Sequence, residues 1–317
     1  MTNSQDPLFV IFGTGPLGLA VMRRLVATGK RVRIVNRSGQ AEVPEGVEVI
    51  GANAADPVSA RRVCEGAAVV FHCASGAYGR WPQTLPAIMN GIIDGAAAAG
   101  AKLIYGDNLY MYGPVSGPLT EDLPNRPVGP TTGVRAQVAT TLMDAHSNSK
   151  VRATIGRASD FYGPLVHQSK LGDGVFTRAL SGRPAQVLGD PDAPHTYTFI
   201  DDFAAGLVTL AEREEALGQV WHIPSAETIS TRRFIETVFQ QVGTPMRLQA
   251  PPKLAITLLA VFSPFMRAAK ETLYQSERPF VMDHSKYART FGSSPTPHGQ
   301  AIAETLKWFR QQSSTSR

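Results

Sequence analysis

Short apolar runs alternate with amphipathic segments through the first half of the chain. Residues 8–12 form a continuous apolar run that ends at Gly13, as expected of a strand buried on both faces. Further strands are predicted at 31–35, 47–50, 67–73, 102–105 and 152–156, and helices at 17–28, 88–99 and 132–148. Because strands that alternate with helices favour right-handed crossovers, the predicted fold class is α/β, a Rossmann doubly wound parallel sheet with a smaller C-terminal substrate lobe.

The alternation breaks after Gly163, where loops rich in glycine and proline begin. The predicted elements beyond that point are strands at 197–200 and 220–223, which return to the sheet, and helices at 202–212, 234–242 and 254–275. The polar tail after Arg310 is predicted to fray.

These elements divide the chain into two lobes. Its 317 residues are enough for one large α/β domain and a smaller second lobe. We predict a dinucleotide-binding Rossmann domain over residues 1–165, completed by about 197–223. Residues 166–196 and 224–317 are predicted to form the substrate-binding lobe.

The turn after the first strand carries the clearest chemical signal. It matches the pattern G-x-G-x-x-G and consists of Gly13, Thr14, Gly15, Pro16, Leu17 and Gly18. In this context the first glycine permits the tight turn, the second lets a pyrophosphate approach the backbone, and the third lets the helix pack on the strand. The helix N-terminus then offers N–H groups to the phosphates. The pattern indicates a bound NADP(H) or NAD(H), and the alternative is a plain strand–helix turn.

The residues after the second strand bear on the 2′ position of the cofactor. An Asp or Glu that binds the ribose is expected there, but the chain has Asn36, Arg37 and Ser38. Without the acid, nothing repels a 2′-phosphate, and Arg37 can pair with it through charge-assisted hydrogen bonds. NADP(H) is therefore favoured over NAD(H), and the alternative is an exposed arginine after a strand.

Composition narrows the class of protein. The net charge of +5 suits a small anionic ligand, and because the chain has no dense Lys/Arg block, nucleic acid is not expected as a partner. Two cysteines and a polar N-terminus fit a reducing, cytoplasmic location. The apolar segment 254–266 is shorter than the roughly 20 residues that span a bilayer. The seven histidines form no H-x-x-x-H or H-E-x-x-H set, so no metal is expected.

Five segments resemble the short-chain dehydrogenase/reductase superfamily, closest to its extended or atypical, epimerase/dehydratase-like branch. They are 53–57, 70–75, 110–114, 156–164 and 198–202. The resemblance implies that Asn53 stands in the turn that contacts adenine, where the branch usually has Asp. It also implies that Cys73, Ala74 and Ser75 line the cofactor after the fourth strand.

The chain departs from this family at the catalytic motif. The resemblance places a Tyr-x-x-x-Lys at the start of the long helix, in which the Tyr donates a proton and the Lys holds the nicotinamide ribose. Here Thr131 and Arg135 occupy those positions, and Asp107 with Asn108 stands where the family has a Ser. Thr131 is a poor acid, whereas Arg135 keeps the positive charge and can still contact the cofactor.

Other side chains are candidates to replace the missing acid. The catalytic candidates are Tyr110, Asp107, Asn108, Thr131, Arg135, Tyr112 and His195. The substrate candidates are Tyr78, Trp81, Ser159 and His195. The alternatives are packing for Tyr112, turn capping for Asp107, loop packing for Tyr78 and Trp81, and a structural role for His195.

The leading hypothesis is an NADP(H)-dependent oxidoreductase that transfers hydride to a carbonyl, imine or activated alkene of a small organic substrate. A sugar-nucleotide epimerase or dehydratase is a second hypothesis, weakened because those reactions need the missing base. A non-catalytic NADP(H) sensor or scaffold is a third. A homodimer is left open.

Overall fold

The computed structural model of the protein describes residues 6–250 and 263–315. The strands are β1 (Leu8–Phe12), β2 (Arg31–Asn36), β3 (Glu48–Gly51), β4 (Ala67–His72), β5 (Lys102–Asp107), β6 (Arg152–Arg157), β7 (Asp160–Tyr162), β8 (Ala185–Gln186), β9 (Pro194–His195), β10 (Tyr197–Phe199), β11 (Val220–His222), β12 (Ile229–Ser230) and β13 (Leu248–Gln249). The helices are α1 (Pro16–Ala27), α2 (Pro57–Cys64), α3 (Trp81–Ala99), α4 (Pro130–Ser147), α5 (Phe176–Leu180), α6 (Ile200–Glu212), α7 (Thr231–Val242), α8 (Pro264–Glu271), α9 (Tyr274–Glu277), α10 (Ser285–Phe291) and α11 (His298–Thr315).

A parallel seven-stranded sheet forms the centre of the first lobe, with the strand order β11-β6-β5-β4-β1-β2-β3. Successive residues of β1 face opposite sides of this sheet. Val10 and Phe12 pack in one core with α2, α3 and α4, whereas Phe9 and Ile11 pack in the other with α1 and α6. Both faces of β1 are buried, which is why its sequence is continuously apolar. The predicted Rossmann doubly wound fold is confirmed.

The second lobe has its own core, built mainly from aromatic rings. Tyr162 contacts Phe176, Phe199 and Phe234, with ring centroids 6.4, 5.8 and 4.8 Å away. Three two-stranded sheets, β10-β7, β12-β9 and β13-β8, connect its loops. The prediction that residues 197–200 return to the main sheet was therefore wrong, because β10 pairs with β7. The prediction for residues 220–223 is confirmed, because β11 joins the main sheet beside β6.

Three predicted helices have different limits in the structure. α3 begins at Trp81, seven residues before the predicted start, because Pro82 fits a first turn and Pro86 is tolerated inside the helix. The tail after Arg310 is helical as far as Thr315, where α11 ends, and Leu306 and Phe309 of the same helix pack in the second core. The predicted helix 254–275 is broken between α8 and α9, and its residues 254–262 lie outside the described residues.

Candidate active site

The three motif glycines have different structural roles. Gly13 has φ +108°, and a Cβ there would lie 2.9 Å from the carbonyl carbon of Cys73. A Cβ on Gly18 would lie 1.9 Å from the carbonyl oxygen of Gly13. Gly15 precedes α1 and has no atom within 4 Å of a Cβ position, so its glycine is not required by packing. Open space at the N-terminus of α1 fits a dinucleotide whose pyrophosphate needs close backbone approach.

The end of β2 is joined to the glycine turn by a side-chain amide. Asn36 Nδ2 donates to Thr14 Oγ1 at 3.1 Å, and Asn36 Oδ1 accepts from Ser38 Oγ at 3.1 Å and from the Gly39 backbone nitrogen at 2.7 Å. Asn36 therefore shapes this loop. Arg37 is exposed and makes no side-chain hydrogen bond or ion pair with the described residues, which leaves its guanidinium available to a ligand.

The other predicted cofactor residues lie along the same edge of the sheet. Cys73, Ala74 and Ser75 directly follow β4 and are half-buried. The Cys73 backbone nitrogen donates to the Phe12 carbonyl oxygen at 2.9 Å, which holds this segment beside the glycine turn. Burial raises the pKa of the Cys73 thiol to about 12, so the thiol is neutral. Asn53 is exposed and accepts from the Ala55 backbone nitrogen at 3.1 Å, a turn contact before α2.

Asp107 holds two buried guanidinium groups. Its Oδ1 lies 3.4 Å from Arg135 Nη1, and its Oδ2 lies 3.3 Å from Arg157 Nε. The Asp107 side chain has no exposed surface, and those of Arg135 and Arg157 are 7% and 5% exposed. This carboxylate is an ion-pair anchor at the end of β5, which favours structure over acid catalysis.

Tyr112 belongs to a second buried hydrogen-bond chain. His222 Nδ1 lies 2.8 Å from the Asp283 carbonyl oxygen and must donate to it, so His222 Nε2 accepts from the Tyr112 hydroxyl at 2.9 Å. The same hydroxyl accepts from Arg157 Nη1 at 2.7 Å. Burial lowers the pKa of His222 to about 3, so the ring is neutral. These contacts support the packing role considered for Tyr112.

Tyr110 and Asn108 lie just beyond β5, at the edge where ligands bind in open α/β sheets. The Tyr110 backbone nitrogen donates to Asn108 Oδ1 at 3.0 Å, which leaves the Asn108 NH₂ group without a partner among the described residues. Burial raises the pKa of Tyr110 well above 10, and the neighbouring Tyr78 and Asp160 raise it further. The Tyr110 phenol is therefore neutral and can donate a proton.

Tyr78 and Trp81 form an aromatic wall beside Tyr110. The ring centroids of Tyr78 and Trp81 are 4.7 Å apart, and those of Trp81 and Tyr110 are 6.1 Å apart. The Tyr78 hydroxyl lies 3.2 Å from Thr272 Oγ1 of the second lobe. Trp81 is at the start of α3 and not in a loop, and its buried Nε1 has no partner among the described residues.

Arg135 extends from α4 toward this wall. Its Nη1 donates to the Tyr105 hydroxyl at 2.8 Å, and its Cζ lies 3.8 Å from the centroid of the Trp81 ring. Arg135 Nε is buried and has no partner among the described residues. The cofactor and catalytic roles of Arg135 that the sequence suggested remain predictions.

Thr131 is buried at the first turn of α4. Its backbone nitrogen donates to Glu271 Oε2 at 3.1 Å, and the backbone nitrogen of Thr132 donates to Glu271 Oε1 at 2.7 Å. The second lobe thus caps the helix at the position where the resemblance places the catalytic Tyr.

A partly buried cluster around Asp160 was not predicted from the sequence. Asp160 Oδ2 lies 2.7 Å from Lys170 Nζ and 2.9 Å from His195 Nε2. Burial alone would raise the pKa of Asp160, but Lys170 and His195 outweigh it and hold that pKa well below its usual range. Burial lowers the pKa of His195, although the hydrogen bond to Asp160 opposes this. Asp160 lies between the family-like residues 156–157 and 161–164, and Lys170 lies in a loop without a recognisable pattern.

The structure separates the predicted site residues into two groups. Ser159 is buried next to Asp160, and its Oγ has no partner among the described residues. Contacts connect Tyr78, Trp81, Tyr110 and Arg135 into one wall. Tyr112 instead contacts His222 at the outer strand β11.

No group of three or more His, Cys, Asp and Glu side chains within 6–250 and 263–315 could hold a metal ion. No helix in those ranges is long and apolar enough to cross a membrane.

The fold and site are those of a dinucleotide-binding α/β protein with a second lobe over the ends of its strands. The family model described as NAD dependent epimerase/dehydratase family matches residues 9–223. The chain therefore belongs to this family, which confirms the resemblance drawn from the sequence motifs.

Two curated relatives match part of the chain. The dTDP-glucose 4,6-dehydratase of Streptomyces griseus is 25% identical over 69% of this chain and 62% of its own length. The low-salt glycan biosynthesis protein Agl12 of Haloferax volcanii is 27% identical over 42% of this chain and 43% of its own length. The match thus spans less than two thirds of either relative.

Solved structures share the fold across nearly the whole chain. A dTDP-glucose 4,6-dehydratase from Streptomyces venezuelae, solved with NAD, has a TM-score of 0.79 at 19% identity and covers 97% of this chain and 98% of its own. The UDP-glucose 4-epimerase of Thermotoga maritima, solved with UDP-glucose, has a TM-score of 0.79 at 16% identity, with coverages of 96% and 99%. At these identities the likeness establishes the fold alone.

Proposed function

We propose that the protein is a nicotinamide-dependent oxidoreductase that reduces a carbonyl, imine or activated alkene of a small organic substrate, with Tyr110 as proton donor. The observation that carries this proposal is the position of the half-buried Tyr110 phenol just beyond β5, against Trp81 and beside Asn108. Burial raises the pKa of this phenol, so it is neutral and holds the proton that the reduced substrate oxygen needs.

Each residue of the wall has a part in this reaction. A reduced nicotinamide supplies the hydride when bound. The free NH₂ group of Asn108 hydrogen-bonds the substrate oxygen and polarises its double bond, and the Tyr110 hydroxyl then gives that oxygen its proton. The Tyr110 phenolate regains its proton from water, for which the neighbouring half-buried Tyr78 hydroxyl is the nearest relay.

For the cofactor, we propose that Gly13, Gly15 and Gly18 hold the pyrophosphate and that Arg37 selects NADP(H). The support for NADP(H) is the exposed, unpaired Arg37 and the absence of an acid at the end of β2. The relatives solved with NAD support the opposite preference.

Arg37→Ala should weaken NADPH binding about tenfold and leave NADH binding unchanged, since one charged hydrogen bond to a phosphate is lost. Arg24→Ala, on the exposed face of α1, is the matched control.

A second candidate is a sugar-nucleotide epimerase or dehydratase, favoured by the whole-chain likeness to such enzymes. The missing Tyr-x-x-x-Lys base counts against it. Binding of a nucleotide diphosphate sugar, with its conversion and no net consumption of cofactor, would establish this second function. Tight NADPH binding without turnover on any substrate would instead indicate the sensor or scaffold.

The test is NADPH consumption with a panel of ketones, imines and enones. Tyr110→Phe should lower kcat by about a hundredfold or more, the usual contribution of a general acid, and leave the Kd for NADPH unchanged. Tyr287→Phe removes a hydroxyl from the core beside β11 and is the matched control. Unchanged turnover in the Tyr110 variant would remove this residue from the mechanism.

A further inference from the structure

The buried charges at the end of β5 do not balance. Arg135 and Arg157 share the single carboxylate of Asp107, and all three side chains are almost completely buried. The other acids around the wall have partners of their own. Asp160 pairs with Lys170 and His195, and Glu271 accepts from the first turn of α4. Glu121 accepts from the His222 backbone nitrogen, on the Arg157 side of the cluster. Among the described residues, Arg135 therefore has only the shared Asp107 carboxylate within ion-pair distance.

The unbalanced charge belongs to Arg135. Arg157 Nε and Nη1 are both used, by Asp107 and by the Tyr112 hydroxyl. Arg135 uses only Nη1, for Tyr105 and Asp107. Its Nε is buried without a partner, and its Nη2 makes no hydrogen bond with the described residues. A buried charged donor without an acceptor is costly, so an acceptor supplied by a ligand would explain it.

The two unused nitrogens define the shape of that ligand. Arginine Nε–H and Nη2–H point in parallel from one edge of the guanidinium and match the two oxygens of a carboxylate. The Trp81 ring stacks on one face of the guanidinium, with its centroid 3.8 Å from Cζ. A group stacked on the face does not take up the hydrogen bonds of the Nε–Nη2 edge. A neutral ribose hydroxyl could accept from one nitrogen, but it would leave the charge unbalanced.

We propose that the substrate carries a carboxylate, held by Nε and Nη2 of Arg135, as well as the double bond that is reduced. Arg135 Cζ lies 3.8 Å and the Tyr110 ring centroid 6.1 Å from the centroid of the Trp81 ring, so the carboxylate site and the proposed proton donor belong to the same wall. This arrangement selects an organic acid that carries its reducible bond in the same molecule. The proposal rests on the proposed reduction, but its binding step can be measured without turnover.

The experiment compares an acid with its ester on the full chain saturated with NADP⁺, the oxidised cofactor, so that no probe is reduced while its binding is measured. Phenylpyruvate and 2-oxoglutarate are the probes, their methyl esters are the neutral controls, and binding is measured by calorimetry. We expect each acid to bind about tenfold to a hundredfold more tightly than its ester, the range for a hydrogen-bonded charge. Arg135→Gln should abolish this difference and leave the Kd for NADPH unchanged, whereas Arg135→Lys should retain part of it.

The Arg135→Gln variant should fold, because Asp107 keeps its pair with Arg157. A second variant, Arg61→Gln, removes an exposed guanidinium 3.9 Å from Asp94 and controls for net charge. Equal binding of acid and ester, or no binding of any acid at millimolar concentration, would overturn the proposal. So would a loss of NADPH affinity in Arg135→Gln with the acid's affinity unchanged, because the guanidinium would then serve the cofactor.

The same data separate this proposal from the proposed function. Binding of an acid that depends on Arg135, with no consumption of NADPH, would support the carboxylate site and contradict the reduction. Turnover of neutral ketones that is unaffected by Arg135→Gln, with no preference for acids, would support the reduction and contradict the carboxylate site.

Discussion

Glu271 Oε1 lies 2.7 Å from the backbone nitrogen of Thr132, so a carboxylate of the second lobe caps the first turn of α4 in the first lobe. The same oxygen lies 2.9 Å from Thr132 Oγ1. Space for the carboxylate depends on Gly129, where a Cβ would lie 2.5 Å from Glu271 Cδ. Because Thr272 and Tyr274 follow directly and contact Tyr78 and Tyr110, this cap also positions the aromatic wall.

We expect Glu271→Ala and Gly129→Ala to have the same effect, since each removes the carboxylate from the helix N-terminus. The free energy of unfolding should fall by about 0.5–2 kcal/mol in either variant, the usual cost of losing an N-terminal cap. The double variant should be no less stable than the worse single variant. Urea unfolding measures all three, with Lys270→Ala as the control on an exposed neighbour. Additive losses would show that Gly129 and Glu271 act independently.

Asp107→Asn should be far more damaging than a surface substitution. It leaves Arg135 and Arg157 as two buried cations without a carboxylate, and breaking a buried ion pair in this way costs about 3–5 kcal/mol. Asp144→Asn, at an exposed position of α4, should change the free energy of unfolding by less than about 0.5 kcal/mol. If the free energy of unfolding falls no further in Asp107→Asn than in the control, Asp107 is not a buried ion-pair anchor.

Stability should fall as the pH drops below about 6.5, because several histidines are buried in the neutral form. Burial lowers the pKa of His72 and of His222 to about 3, and the pKa of His195 is also lowered. Between the unfolded pKa of roughly 6.5 and these lower values, the unfolded chain binds protons that the folded chain does not. Each such histidine should then contribute a loss of about 1.4 kcal/mol per pH unit.

The measurement is the free energy of unfolding from urea titrations at several pH values between about 7 and 5. The slope of the unfolding free energy against pH should be smaller in His222→Gln, by the contribution of one histidine. This holds whether or not the substitution changes the free energy of unfolding at pH 7. His284→Gln is the control, because His284 is not one of the three buried histidines on which the expectation rests. An unchanged slope in His222→Gln would mean that this ring is not held neutral.

Local patterns were enough to predict the sheet and the glycine turn. The apolar run of β1 and the spacing of Gly13, Gly15 and Gly18 lie within a few residues of one another, so sequence alone indicates their structure. The partners of Asp107 lie 28 and 50 residues away, and its role as an anchor depends on where α4 and β6 pack. The predicted domain boundaries, cytoplasmic location and individual site roles remain predictions.

Long-range contacts also explain what the sequence missed. Lys170 reaches Asp160 from a loop without periodicity, and Glu271 reaches Thr132 across 139 residues. Trp81 was assigned to a loop with Gly76, Gly79 and Pro82, although a proline in the first turn is compatible with a helix. Only the packed chain brings these side chains to the ends of β4 and β5.

The most direct test of the account is the affinity of Gly15→Ala for NADPH and NADH. A methyl group at Gly15 meets no protein atom within 4 Å, so this variant should fold and unfold like the wild type. If the pyrophosphate lies against Gly15, the methyl group occupies its space, and binding of both cofactors should fall at least about a hundredfold. A Gly15→Ala variant that is equally stable and binds either cofactor as tightly as the wild type would contradict a dinucleotide on the N-terminus of α1.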